Sequence, residues 1–534
     1  MIAPAVNKTS ALDRQSPRRL DWPVGRAYVV TVLLAACLYG LTAQRGPTWQ
    51  DSGYHQLRAL RLDLNNPLGL ALSHSLMIVA AQPLKFLFGP ALLPTVMNIV
   101  SGIGMAIAVA NVLLLGYWLT GRPAAAILAA AMLAVCHTAW WLATISETYC
   151  WVTTGLTTEL LLLVSLLANP RPWKLLLLML ISGLGFSLHN LALLPLPVYA
   201  VTAVLLVARR RVPAWALLAA VACWLCGAAL QLGLVIQAGL SNGWGWAINS
   251  ALFGSEWAPK VASLSPHRLK GGVIYVLLNW PFLSLVPVLL GWWLMPGRAG
   301  RAMGTALGTI AAIELIFGIR YDVPDQFMFL LPAYALLAIG AAVGIDRLLA
   351  LPARARRVAM VLVVASLALT PVLYGLAPWV MTRMGRSLRH GYHLPYRDEN
   401  RYWITPWKFN EHSADRFARG ALAVAAPDGV ILASGTMGPP IMVVQAALGL
   451  SPQVTIEMME EPRLGIIPPL KELILDDPAQ VARIVNGRAL FIVAPGKFDP
   501  QMGERMGQCP QVTREPLIQL QLPAPVSGAA EKSD

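Results

Sequence analysis

Eleven stretches of largely apolar residues constrain this chain more than anything else in it. They cover about 24–43, 94–119, 123–141, 150–168, 173–188, 190–208, 214–236, 271–294, 303–319, 327–345 and 357–380. Runs of roughly 17–25 such residues match the hydrocarbon thickness of a bilayer when helical. No single soluble core can bury that much apolar surface, because cores stop growing near roughly 250–300 residues. The composition agrees: 56% of the 534 residues are hydrophobic and only 13% are charged, against a globular norm of roughly 25%. The chain reads as an α-helical polytopic membrane protein with about eleven spans. A further apolar segment, 68–89, is interrupted by Ser73, His74, Ser75, Gln82 and Pro83 and reads as an interfacial or re-entrant helix.

Charge orients the spans. Residues 381–534 carry 16 Lys and Arg against 16 Asp and Glu, so the whole net charge of +14 lies in residues 1–380. With the N-terminus inside, the inner segments hold 17 basic residues and the longer outer loops only 8. This is the positive-inside pattern of a plasma (inner) membrane protein. Eleven spans then place the C-terminal tail outside the cytoplasm. Short basic clusters between spans, with no basic stripe of interleaved aromatics, exclude nucleic acid as a partner. Cys223 and Cys226 sit three residues apart inside an apolar helix and read as packing residues. Leu34-Ala35-Ala36-Cys37 resembles a lipoprotein cleavage box, but the apolar run continues through Leu41, which favours an uncleaved first helix.

The tail has ordinary polar composition. Residues 429–433 and 489–494 read as buried strands, and 411–425, 438–449 and 478–486 as helices. The expected organisation is a transmembrane domain over 1–380 and a small extracytoplasmic α/β domain over 381–534.

Acids and histidines gather on one side. Asp51, Asp63, Glu147, Glu256, Asp322 and Asp325, with His55, His74, His137, His189 and His267, all fall at or beyond the predicted outer ends of spans. Ionisable groups at membrane depth are costly and usually mark function or pair internally; Glu159 and Glu314, within spans, read as buried partners of neighbouring helices. Asp51, just past the first span, reads either as a general base for a hydroxyl or as an N-cap. Glu147, in a loop of about eight residues, reads either as a second site carboxylate or as a cap. His189-Asn190 reads as ligand-binding or as interhelical hydrogen bonding. Arg320-Tyr321-Asp322-Val323-Pro324-Asp325 reads as a binding loop or a salt-bridged turn. No metal-ligand spacing is present, although Asp51, Glu147 and Asp322 would hold a divalent cation if they converged. Trp244, Trp246, Trp257 and Trp280 read mainly as an interfacial aromatic belt.

Several motifs occur in a telling order: Asp51-Ser52-Gly53, Asn66-Pro67-Leu68-Gly69, Pro94 with Asn98 and Ser101-Gly102, Trp140-Trp141 and Glu147-Thr148-Tyr149. Gly183-Leu184-Gly185-Phe186-Ser187-Leu188-His189-Asn190, Tyr321 to Asp325 with Pro332 and Tyr334, and Tyr396-Arg397-Asp398 with Pro406-Trp407-Lys408 follow. Together they resemble the GT-C-like membrane family that includes the transmembrane O-mannosyltransferases of animals. The resemblance implies a GT-C fold, a polyprenyl-phosphate-linked sugar donor, a protein or glycan acceptor, and a catalytic acid mapping to Asp51. The chain departs from that family at Tyr54, where an acid is usual, and at Asn66-Pro67-Leu68-Gly69-Leu70, which leaves the sugar and acceptor open. A donor that reaches an outer site must be membrane-borne, since nucleotide sugars are cytosolic. Its phosphate calls for basic or imidazole groups near the interface, and Arg58, Arg61, His74, His189 and Arg320 are candidates. The competing readings are a transporter, which would need midplane substrate groups, and a non-catalytic envelope assembly or sensor protein.

The orientation is directly testable. Reporter fusions at residue 211 and after residue 400 are expected to report opposite compartments, cytoplasmic and external; the same compartment for both would overturn the map.

Overall fold

The computed structural model describes residues 22–66, 69–254, 258–261, 265–388, 394–458, 485–486, 488–493 and 511–521. Helix α1 (Trp22–Thr42) is followed by α2 (Gln50–Arg61), a short helix leading into α3 (Ser75–Thr120). Next come α4 (Pro123–Ala134), α5 (His137–Leu142), α6 (Tyr149–Ala168), α7 (Pro172–Leu188), α8 (Leu196–Ala208) and α9 (Trp215–Asn242). After α10 (Trp244–Phe253) and the single turn α11 (Ala258–Val261) follow α12 (Pro266–Asn279), α13 (Leu285–Ala299), α14 (Arg301–Arg320), α15 (Leu331–Leu349) and α16 (Ala353–Arg383). Among the described residues, eight helical segments are long and apolar enough to cross a membrane. They coincide with eight of the eleven apolar runs. The remaining three runs form shorter or broken helices.

Two of those breaks are coupled. The run 271–294, expected as one span, is two helices, because Pro281 lacks an N–H for the helical ladder and Phe282 adopts φ 57°. The run 123–141 breaks before His137. Asn279, the last residue of α12, accepts the Thr138 N–H at 2.7 Å and the Cys136 thiol at 2.8 Å, so the end of one broken helix caps the start of another. Segment 68–89 also differs from expectation. From Ser75 onward it is the first arm of α3, joined to the second arm across a kink at Gly89 (φ 78°, ψ 162°). Trp244 and Trp246 are exposed as a belt would be, but Trp280 is buried in the core; Trp257 lies outside the described residues.

Helix α15 is the central strut, with nearly every residue from Leu331 to Ile345 buried. Glycines let α13 lie directly on it: a Cβ at Gly291 would stand 1.7 Å from the Gly340 carbonyl oxygen, and one at Gly344 1.9 Å from that of Pro287. Small residues allow backbones to approach where lipid removes any hydrophobic drive for association. At one end of the bundle Asp346 pairs with Arg122 (2.8 Å) and Arg298 (3.3 Å). Arg298 also donates to the Leu119 and Thr120 carbonyls that end α3, a favourable place for a cation. From Ser101 to Thr120 α3 rises about 29 Å at ~1.5 Å per residue, so this cluster lies roughly a hydrocarbon thickness from the level of Ser101.

The C-terminal region comprises α17 (Glu399–Ile404), α18 (Ser413–Ala425), β1 (Val430–Ala433), α19 (Gly438–Leu448), β2 (Thr455–Met458), β3 (Leu490–Val493), β4 (Gln511–Arg514) and β5 (Leu517–Leu520). The sheet order is β2-β1-β3-β5-β4, with β1 parallel to β2 and β3, and β5 antiparallel to β3 and β4. The expected strands at 429–433 and 489–494 are β1 and β3, whose described residues are fully buried. The helix expected over 478–486 falls mostly outside the described residues. One buried core runs without interruption from the membrane helices into this region. The seam is polar and specific. Trp141 Nε1 donates to the Tyr402 carbonyl (3.0 Å), Thr144 to that of Pro406 (2.9 Å), the Lys408 N–H to that of Thr42 (2.7 Å), and Trp49 Nε1 to Ser413 Oγ (2.8 Å). Lys408 Nζ is buried on the Tyr402 and Thr405 carbonyls, and burial pushes its pKa well below the ordinary lysine value.

The glycine contact yields a stability test. Gly291→Ala is expected to cost about 1–3 kcal/mol or more by overpacking. Gly308→Ala in α14, where an added Cβ meets nothing within 4 Å, should instead be neutral or stabilising by about 0.5–1 kcal/mol. Thermal unfolding of both purified variants in detergent checks this; equal effects would contradict the close crossing of α13 and α15.

Candidate functional site

Glu147 is the centre of the polar end. The loop carrying it is short, so the backbone is locked: Ser101 Oγ of α3 accepts the Glu147 N–H at 3.1 Å and donates to its carbonyl at 3.3 Å. Helix α2 holds the side chain. Ser52 donates to Oε1 at 2.5 Å, and His55 Nε2 stands 3.8 Å from Oε2. Glu147 is 2% exposed. Burial is the main reason its carboxyl lies well above the ordinary 4.5; Asp51 pushes it further, the Ser52 hydrogen bond opposes, and Asp325 adds a smaller push. Burial likewise drives His55 well below the ordinary imidazole value, helped by His74 and Arg58. Both partners of this contact are therefore held toward their neutral forms.

Asp51 stands exposed in the first turn of α2, where a negative charge suits the helix dipole. It is not the cap: α2 begins at Gln50, and its N-cap is Trp49 with no side-chain capping bond. Glu147 does not cap α6 either, since that position belongs to Thr148. The loop before α2 is pinned by Gln56, which accepts the Thr48 N–H (3.1 Å) and donates to Asn98 Oδ1 (2.9 Å), while Asn98 donates to the Gln44 carbonyl (2.9 Å).

Three histidines from three separate elements stack behind the acids. His55 lies edge-on to His74 with centroids 4.9 Å apart, and His74 stacks on His189 at 5.0 Å. The row continues through Tyr149 (5.2 Å), Phe329 (5.2 Å) and Tyr321 (4.5 Å). Hydrogen bonds dictate the neutral tautomers. His74 Nδ1 donates to the Leu188 carbonyl (2.9 Å), which leaves Nε2 as an acceptor. His189 Nδ1 accepts the Leu191 N–H (3.0 Å), which leaves the proton on Nε2. His74 holds its place with a left-handed backbone (φ 46°, ψ 41°), uncommon for a residue with a Cβ and of the kind that collects at functional sites.

The other sequence candidates separate. Asp325 joins Asp51 and Glu147 electrostatically, whereas Asp322 pairs with Arg268. The carboxylate trio thus differs from the expected Asp51, Glu147 and Asp322. Among the described residues no three His, Cys, Asp or Glu side chains come close enough to hold a metal ion. Arg58 is fully buried and gives N–H groups to the carbonyls of Asp63, Leu64, Leu72 and Ser73 at 2.7–3.1 Å. This corrects its reading as a phosphate ligand: it is a clamp on the 62–73 turn. Arg61 is exposed at the far end of α2, about 15 Å along the axis from Asp51, and so stands apart from the acids. Asn190 donates to the Leu252 carbonyl of α10 at 2.9 Å, the interhelical role. Arg320 and Tyr321 are half-buried, and Tyr321 feels the charge of Asp325. At membrane depth the Tyr199 hydroxyl donates to Glu159 at 2.8 Å, the buried partnership expected of Glu159. Ser52 and Gln56 escaped the sequence reading, and His55 was noted only as one of the outer histidines. The available signal was their spacing on α2, which puts Asp51 and His55 on one face and Ser52 and Gln56 beside it.

An apolar cavity of about 430 Å³ opens beside this cluster, walled by α3, α6 and α7. Leu76, Leu84, Trp151 and Leu184 typify its lining, and Ser101 and Ser146 mark its polar end next to Glu147. A largely apolar lining with a few polar groups at one end is the usual composition of a small-molecule site.

Glu147 gives a sign-definite pH prediction. A carboxyl raised by burial stays protonated in the folded state while the unfolded chain ionises, so its contribution to stability falls as pH rises above about 4.5. Glu147→Gln removes that loss. The variant should melt at least about 2 °C above the parent at pH 7.5, and the gap should close toward pH 4.5. A lower melting temperature at pH 7.5 would mean that Glu147 is ionised and paired with His55.

No protein-family profile and no curated protein matches the chain. Solved structures do. The crystal structure of ArnT from Cupriavidus metallidurans bound to undecaprenyl phosphate superposes with a TM-score of 0.55 at 13% identity, covering 94% of this chain and 98% of that one. The same protein in the apo state gives 0.54 at 13% identity, over 93% and 98%. At such identity the likeness speaks for the fold: the chain is a multi-pass α-helical membrane protein with the GT-C-like fold of ArnT and a small C-terminal sheet region.

Proposed function

We propose that the protein is a membrane glycosyltransferase that moves a sugar, with mannose the first to test, from a polyprenyl-phosphate carrier to an acceptor hydroxyl at the outer face of the plasma membrane. The observation that carries this reading is the apolar cavity ending at Ser101 and Ser146, one residue from Glu147. The ArnT neighbour with bound undecaprenyl phosphate supports a lipid of that class as carrier. In this reading Asp51, the exposed carboxylate, takes the proton of the acceptor hydroxyl. The acceptor oxygen bonds to the anomeric carbon as the bond from that carbon to the phosphate oxygen breaks, and the polyprenyl phosphate leaves with the electron pair. Glu147, kept neutral, donates a hydrogen bond that electrostatic preorganisation makes worth more in a dry site than in water. His189, with its proton on Nε2, and Arg320 are the donors proposed for the phosphate, and His74 fixes the row. Tyr321 and Asp325 close the acceptor side.

The test is Asp51→Asn. Positioned base catalysis contributes roughly 10²–10⁴-fold, so turnover in membranes supplied with mannosyl polyprenyl phosphate should fall by about that factor while protein level and carrier binding persist. Transfer at the parental rate would remove Asp51 as the base.

A further inference from the structure

A second cavity, of about 400 Å³, lies between α12, α16 and α17 and shares no lining residue with the first. Tyr275 and Leu278 of α12, Tyr374 and Ala377 of α16, Phe327 and Trp403 are among the residues of its wall. The Tyr374 hydroxyl donates to the Leu278 carbonyl at 3.0 Å and ties the two helices. Beyond the lining both helices present apolar surface outward: Val273 and Leu277 are 55% and 51% exposed, Leu376 and Trp379 57% and 59%. In a membrane protein this is lipid-facing surface, on the same two helices that wall the cavity. Its rim is cationic. Lys270 stands one helical turn before the lining residue Ile274, and Arg383 and Arg386 follow the lining residue Met381; all three are exposed.

The lining of the cavity comes within one residue of an acid in the chain. Pro324 lines it, and the next residue, Asp325, acts on Glu147. His137 and Thr138, at the start of α5, line the second cavity, while Ser146, eight residues on, lines the first. Residues adjacent in sequence to Glu147 and Asp325 thus line two apolar chambers of similar size, Ser146 in the first and Pro324 in the second.

We infer that the second cavity holds the apolar chain of the acceptor, and that the acceptor is an anionic membrane lipid whose head is drawn to the cationic rim. This rests on the glycosyltransferase reading above and names its acceptor class: sugar passes from one lipid to another. Acceptor oxygen bonds to the anomeric carbon, the carbon–oxygen bond to phosphate breaks with its electrons leaving on the carrier, and Asp51 takes the proton.

Two measurements test it. In the first, the full chain is placed in phosphatidylglycerol nanodiscs containing a phosphatidylglycerol with a diazirine on its acyl chain, and photolabelled peptides are mapped. Label is expected on the lining of α12 and α16, falling about fivefold or more in Ala377→Trp, and persisting with excess undecaprenyl phosphate and in Gly155→Phe, which obstructs the first cavity. Labelling there no stronger than around Leu289, exposed on α13, or labelling lost to undecaprenyl phosphate, would overturn the inference. In the second, membranes receive carrier with radiolabelled sugar, and product is partitioned. Label is expected in a protease-resistant, chloroform-soluble product that falls about tenfold in both Ala377→Trp and Leu278→Trp. Transfer into a protease-sensitive product would overturn the lipid acceptor alone, whereas no transfer at all would overturn the transferase reading with it.

Discussion

The burial of one carboxyl group, Glu147, organises the polar end of this protein. A carboxylate cannot be placed there unpaired at tolerable cost, so the chain surrounds it with a Ser52 donor, a His55 ring and a Ser101 clamp from two different helices. Those contacts tie α2 and α3 to the loop that precedes α6. They also decide where Asp51 stands, one residue before Ser52 and turned to solvent. The exposed acid and the buried acid then differ in character because their surroundings differ, and the proposed division of roles between them rests on that difference.

A second dependence runs through the seam between the membrane helices and the C-terminal region. Lipid leaves backbone groups no water to bond, so irregular segments within a bundle must find partners in protein. The break before α5 is capped by Asn279, and the Trp141 and Thr144 side chains donate to carbonyls of the 402–406 segment. The buried Arg397–Glu399 pair, with contacts of 2.8 Å, and Lys408 fix that segment from its other side. The C-terminal region is thereby part of the wall of the second cavity, through Trp403 and Ile404, and shares one core with the spans. A boundary at residue 380 describes composition; it does not describe where packing ends.

Much of this was legible in the residue order. Apolar run length marked the spans, because a helix must match the hydrocarbon thickness. The scarcity of acids in 1–380 made Asp51, Glu147 and Asp325 conspicuous, because ionisable groups are expensive near lipid. Continuous apolar runs marked β1 and β3. What stayed hidden was every contact between elements distant in sequence. Arg58 and Asp322 carry the same charges as a phosphate ligand and a cation ligand would, yet carbonyls of the 63–73 turn and Arg268 engage them. His55 is four residues from Asp51, but its value to the site comes from Glu147, 92 positions away. The sequence by itself determined a helical membrane protein with its polar chemistry gathered at one end, since hydropathy and charge are summed locally along the chain. Only the tertiary structure decided which acids meet, which histidines stack and where two apolar chambers open, because those depend on helix crossings set by glycine contacts and buried hydrogen bonds between residues far apart in the chain.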